Sequence, residues 1–326
     1  MTRTRVLQAA IVVIATAGAL GVTEAALRGL DLYAPIAQPV QPAQPDLYQP
    51  SPVFGYHLKP SLTTTYRYPR TSDVLLPLVS NSDGFRSSRE FGDDDPRFRV
   101  LVIGDSFVFG LGVPTEHRLT ERLEALEPEW RVDNLGMVGW GLDLMIRALE
   151  HIGPKADPDV VVLAVYTDDF RRLLPHYAGL GYAYPKFELV GDELQTVPFR
   201  YPRAWERLRI AQAMSKLAWQ RDANRYDLNE ALLDRFLTNA RVMQFRPVVA
   251  FLPGRSDMPV DQERRAFLHR WSAARGAPYL DLTDAIHGRG VENVFLKDNW
   301  HWSAGGHQVA AEELRKALLN MRDGVR

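Results

Sequence analysis

Three residues far apart in the chain could together perform nucleophilic acyl chemistry: Ser106 in "IGDSFVFG", and Asp298 and His301 in "DNWHWSAGGH". A serine hydroxyl is a weak nucleophile until a neighbouring base takes its proton. An imidazole is such a base, and a carboxylate can hold it in the right orientation. Asp298 stands three residues before His301, just ahead of the last amphipathic stretch of the chain, whose helix would fix their loop beside Ser106. Taken singly, Asp-Ser is equally a turn or helix-cap pair, His301 a loop or capping histidine, and Asp298 a turn carboxylate. Only the combination points to catalysis.

Positioning these residues requires a scaffold, and the hydrophobic pattern supplies one. "RVLVI" (99–103) is an apolar run ending at Gly104, followed by a helical pattern over 116–127 with Leu119, Leu123 and Leu126 on one face. Further strands are expected at 131–135, 160–165, 247–252 and 277–282. Helices are expected at 142–152, 204–219, 227–245, 261–275 and 303–321. The run "VVVLAV" suits a parallel strand covered on both faces. Strands alternating with helices predict an α/β fold with an open parallel sheet, whose functional residues lie at the carboxyl ends of the strands. Residues 175–204, rich in Tyr, Pro and Gly, read as irregular, and 61–98 as short strands or loops with a turn at "NSDG".

The N-terminus reads differently. Arg3 and Arg5 precede an apolar stretch from Val6 to Val22, intermediate in length between a signal peptide and a spanning helix. The helical pattern continuing past Glu24 and Arg28 favours an uncleaved anchor, with cleavage near Ala25 as the alternative. The flanking charges place the body outside the cytoplasm, anchored or secreted. The proline-rich "PIAQPVQPAQPDLYQPSP" then reads as an extended spacer. The expected division is a membrane segment or signal over 1–30, a linker over 31–60 and a catalytic body over 61–326.

Composition narrows the chemistry. With 39 Lys and Arg against 40 Asp and Glu, the 326-residue chain has no broad attraction for nucleic acid, and none is expected as a partner. Its lack of cysteine removes disulfides, thiolate metal sites and a cysteine nucleophile. His307, six positions after His301, lacks the spacing of a helical metal pair and is read as structural. No metal or organic cofactor is expected.

The glycine-terminated first strand and the terminal D-x-x-H resemble the SGNH family, also called GDSL-type esterases and acylhydrolases, over about residues 80 to 320. The resemblance implies a flavodoxin-like three-layer αβα fold with a mainly parallel, about five-stranded sheet. It implies Ser106 as nucleophile, His301 as base and Asp298 as its orienter. "NLGMVGWG" is similar to the family's second block, with Gly139 and Ser106 supplying oxyanion-hole N–H groups. The third block, commonly G-x-N-D, aligns with "YTDD", which puts Asp168 where the family has an amide donor. An ionised carboxylate accepts but cannot donate. Asp168 is therefore protonated, or turned away, or a sign of a weak or inactive site. Met137, Trp140 and Trp300 flank the site as expected pocket walls.

The implied activity is cleavage of an ester-linked acyl group on a small molecule or glycan, with O-acylated envelope carbohydrate as one substrate and acyl transfer by the same triad as a variant. The alternative is an envelope protein that binds a glycan or partner without catalysis. The sequence points to no particular protein partner.

Overall fold

The β-branched runs form one central sheet in the computed structural model, which describes residues 3–30, 32, 44, 46–68, 73–174, 177–219, 225–297 and 300–323. Strands β1 (Phe98–Gly104), β2 (Trp130–Gly136), β3 (Val160–Tyr166), β4 (Arg246–Leu252) and β5 (Tyr279–Asp281) pair in parallel in the order 2-1-3-4-5. This is the flavodoxin-like order, whose switch point lies between β1 and β3.

Side-chain alternation along each strand sorts residues onto two faces. Leu101, Ile103, Val161, Leu163 and Val165 pack in one core with helices Leu142–Ala156, Tyr226–Met243 and Pro259–Arg275. Val100, Val102, Val160, Val162 and Ala164 pack in the other with Leu119–Leu126 and Ala304–Asp323. With both faces covered, β1 and β3 have no need of a polar face, which explains their unbroken apolar runs.

Three antiparallel hairpins flank this sandwich. Tyr48–Ser51 pairs with Gly55–Leu58, inside the stretch whose prolines and lack of charge suggested a spacer. The chain packs there because Tyr48, Phe54, Tyr56 and Leu58 are buried in the same core as Phe85 and Trp140. Thr63–Tyr66 pairs with Leu76–Val79. Lys186–Val190 pairs with Glu193–Val197 in the region read as irregular, the chain reversing at Gly191 with φ +65°. The helix expected over 204–219 begins as a short 3₁₀ turn, Ala204–Arg207, and restarts as Arg209–Trp219. The N-terminal helix Arg3–Gly29 has no fully buried residue and contains an 18-residue window with a mean hydropathy of 2.0, long and apolar enough to cross a membrane.

Candidate active site

The position of Ser106 is built by the end of β1. A Cβ on Gly104 would lie 2.4 Å from Val108 Cγ2 and 3.0 Å from the Ala164 carbonyl oxygen, so the close turn out of the sheet requires glycine. Asp105 then caps the short helix Ser106–Phe109, its Oδ1 accepting from the Phe107 N–H at 2.9 Å. Ser106, 4% exposed, has the first N–H of that helix, which no intrahelical carbonyl can take.

Residues 195 positions away complete the arrangement. His301 Nε2 lies 2.8 Å from Ser106 Oγ. Its loop is closed by the Leu296 N–H donating to the His301 carbonyl at 2.9 Å and by a bridge between Phe295 and Trp302. The imidazole packs against the Phe107 ring, with centroids 5.1 Å apart. Burial lowers its pKa to about 4, with Asp105 pulling upward and Arg172 downward. At neutral pH the ring is therefore uncharged, and its Nε2 lone pair faces the serine hydroxyl. The Nδ1–H then points at the Tyr68 hydroxyl oxygen, 2.8 Å away.

Asp298, expected to orient His301, lies outside the described residues. Tyr68 was not anticipated from sequence: it is 233 positions from His301 and no local pattern marks it.

A buried charge network lies beside Ser106. Arg172 Nη1 lies 2.8 Å from Asp105 Oδ2, 2.5 Å from Asp169 Oδ1 and 2.7 Å from the Trp140 carbonyl oxygen. Asp169 Oδ2 also accepts from the Tyr166 N–H at 2.8 Å. Burial and the Asp105 charge push the Asp169 carboxyl well above the usual carboxylate range, against the pull of Arg172. The sequence signal for this network is present but easily passed over: Asp169 and Arg172 stand three apart in "DDFRR".

The neighbouring carboxylate behaves differently. Asp168 has a side chain 36% exposed and pairs with Arg171 at 2.8 Å. It makes no hydrogen bond or ion pair with Ser106 or His301 among the described residues. The two adjacent aspartates point apart, one into the protein and one toward solvent.

The second-block loop follows β2. Gly139 has φ +79°, in the left-handed region, and its N–H donates to no protein acceptor among the described residues. The loop is held from outside the sheet by the Tyr56 hydroxyl, which donates to the Val138 carbonyl at 2.6 Å. Met137 and Trp140, expected as pocket walls, are instead fully buried. They follow β2, an edge strand of the sheet, and are covered from the N-terminal region, where Trp140 meets Phe54 and Phe85. Trp300 is 64% exposed beside His301. His307 is a buried structural group: its Nδ1 accepts from the Leu119 N–H at 3.2 Å and its ring meets Trp302 edge-on.

The floor of the site is also fixed from the N-terminal side. The buried Arg86 guanidinium donates to the carbonyls of Gly110 at 2.8 Å, Val113 at 3.0 Å and Phe109 at 3.2 Å, pinning the loop after the serine helix. The lead-in "NSDGFRSSREF" thus has a structural duty at the site.

The GDSL-like Lipase/Acylhydrolase family matches residues 102–309. No curated protein matches the chain. Similar solved structures include the psychrotrophic esterase EstA from Pseudoalteromonas sp., at 11% identity with a TM-score of 0.47, covering 69% of this chain and 98% of that one. A carbohydrate acetylesterase family member from Sinorhizobium meliloti is similar at 13% identity and a TM-score of 0.43, covering 69% and 98%. A member of the lipolytic protein G-D-S-L family from Veillonella parvula DSM 2008 is similar at 15% identity and a TM-score of 0.44, covering 67% and 97%. The family match spans more than half of the chain and includes Ser106, Gly139 and His301, and the protein belongs to the GDSL-like lipase/acylhydrolase family.

Proposed function

We propose that the protein is a membrane-tethered serine hydrolase acting on ester-linked acyl groups. The observation that carries this reading is the 2.8 Å contact between Ser106 Oγ and an uncharged His301 Nε2. Ser106 Oγ bonds to the acyl carbon as its proton passes to Nε2. The tetrahedral oxyanion collapses, the alcohol leaves with that proton, and water repeats the sequence to release the acid. The N–H groups of Ser106 and Gly139 stabilise the oxyanion. Asp298 is the orienter of the imidazole in this reading, and the Tyr68 hydroxyl stands at its Nδ1.

Asp168 supplies no oxyanion donor in this reading. Its ion pair with Arg171 holds the charge outward, and a carboxylate has no hydrogen to give an oxyanion. Two backbone donors therefore serve where the family commonly has a third. Removing one such donor typically costs on the order of a hundred- to a thousandfold in rate. That shortfall favours the second reading, an envelope protein that binds a glycan or partner with the same cleft.

The division of labour along the chain supports acylated envelope carbohydrate as the substrate class, with the body held outside the cytoplasm by the N-terminal helix. Transfer of the acyl group to a carbohydrate hydroxyl in place of water uses the same residues.

Hydrolysis of a short-chain aryl ester by the full-length chain in detergent tests the proposal. Turnover abolished by Ser106→Ala supports the enzyme; turnover no greater than that of this variant supports the binding protein. Asp168→Asn is expected to raise the rate, because an amide restores the missing donor. A fall in rate instead assigns the Asp168–Arg171 pair a part in the reaction.

A further inference from the structure

The N-terminal helix is joined to the folded body at one level. Of its residues, only Glu24 and Leu27 are partly covered. Glu24 Oε1 and Oε2 accept from the N–H groups of Arg209 and Ile210, each at 3.0 Å, and Arg209 Nη1 donates to the Leu32 carbonyl at 3.2 Å. The helix Arg209–Trp219 has no acidic residue in its own first turn, so a carboxylate from another helix satisfies its leading N–H groups.

Glu24 follows the apolar stretch Val6–Val22 directly. If that stretch spans the hydrocarbon, Glu24 lies at the headgroup boundary, and atoms 3.0 Å from its carboxylate lie there too. The segment so placed has a distinctive surface. Tyr201 is 57% exposed, Trp205 56%, Leu208 41% and Met214 65%. Arg200, Arg203, Arg207 and Arg209 stand among them against the single acid Glu206, which Arg200 pairs at 2.8 Å. Exposed Trp and Tyr with flanking arginine is the composition of a membrane–water interface, where amphipathic rings sit at headgroup level and cations meet anionic lipid.

We propose that residues 199–214 lie on the bilayer surface beside the N-terminal helix and dock the body against anionic phospholipid headgroups. Tyr201, Trp205, Leu208 and Met214 enter the interface, and the arginines contact phosphate. Glu24 locks this segment to the spanning helix, so the body has a fixed face toward the membrane. Cleavage near Ala25 removes that lock, which makes an uncleaved anchor part of the proposal.

The absence of cysteine from the chain makes single-site labelling clean. Full-length Met214→Cys, Ile14→Cys and Val242→Cys, each carrying an NBD fluorophore, are reconstituted in vesicles of phosphatidylethanolamine and phosphatidylglycerol containing doxyl-labelled lipids. Val242, 74% exposed on the body, reports solvent, and Ile14 reports the spanning helix. The expected result is about twofold or greater quenching at Met214→Cys by lipid labelled near the headgroup, quenching at Ile14→Cys by lipid labelled deep in the chain, and none at Val242→Cys. Quenching at Ile14→Cys without quenching at Met214→Cys overturns the docking surface and leaves the anchor standing. Quenching at neither overturns both, and equal quenching at Met214→Cys and Val242→Cys overturns a specific face.

Discussion

The carboxyl edge of the parallel sheet and the N-terminal hairpin region meet at one site but are built on different principles. The sheet edge places its groups by short-range covalent geometry: Asp105 and Ser106 follow β1 immediately, Gly139 follows β2, and Asp168 and Asp169 follow β3. The hairpin region reaches the site only through side chains. Tyr56 donates to the Val138 carbonyl, Tyr68 faces His301, and Arg86 ties down the loop after Ser106. It also lies before residue 102, where the family match begins. The sheet edge places Ser106 and Gly139, the loop ahead of the last helix brings His301 to them, and the hairpin region braces both.

The largest expected effect lies on the sheet edge. Ser106→Ala removes the proposed nucleophile and is expected to lower kcat for ester hydrolysis on the order of a millionfold, as when one member of a catalytic set is deleted. Circular dichroism and melting should be little changed, because the side chain's hydrogen-bond partners are His301 and, weakly, Asp105 at 3.3 Å. A comparable loss on changing a hairpin residue would erase the distinction drawn between the two regions.

Next is the charge network below the serine. Arg172→Met leaves Asp105 and Asp169 buried without their shared cation, and losing one partner from such a set costs about 3–5 kcal/mol. Urea unfolding followed by tryptophan fluorescence measures this directly. Arg172→Lys keeps the charge and should recover part of the loss. Unchanged stability in Arg172→Met would mean that the two carboxyls rearrange or take up protons without consequence for the fold.

Legibility in the sequence follows the same division. The strands of the parallel sheet and the serine turn were readable because β-branched runs, a terminal glycine and helical spacing are local signals, whereas the strand order is not a local property. The Tyr48–Leu58 hairpin was not, since its prolines suggest a spacer while its stabilisation comes from Tyr56 and Phe54 packing on distant residues. Met137 and Trp140 neighbour Gly139, which suggests pocket walls; their burial depends on which side of the loop the hairpin covers. Asp168 could be recognised as a departure from the family pattern, but its outward pairing with Arg171 required coordinates.

A pH titration separates catalysis from stability. His301 and His307 have pKa values lowered by burial to about 4 and about 3, below the roughly 6.5 of an unfolded histidine. Between those values the unfolded chain binds more protons than the native one, so stability falls as pH drops below about 6.5 and continues to fall toward the folded values. The stabilisation is fully present above that point. A catalytic His301 stays uncharged to about pH 4, so kcat/KM should hold through the range where stability is already declining, then fall tenfold per unit. An acid limb near 6.5 would show that the imidazole is more hydrated than its burial implies.

The smallest effect is the most informative about the hairpin region. Tyr68→Phe removes one hydroxyl 2.8 Å from Nδ1 and keeps the ring that meets the imidazole edge-on, with centroids 5.2 Å apart. One hydrogen bond is worth about 0.5–1.5 kcal/mol, so kcat should fall by about tenfold or less. Because the imidazolium loses an acceptor, the acid limb should also move to lower pH, while KM for a small aryl ester stays constant. A change in thermal stability alone, with kcat and the acid limb unmoved, would reduce Tyr68 to packing and leave the orientation of His301 to groups from the family core.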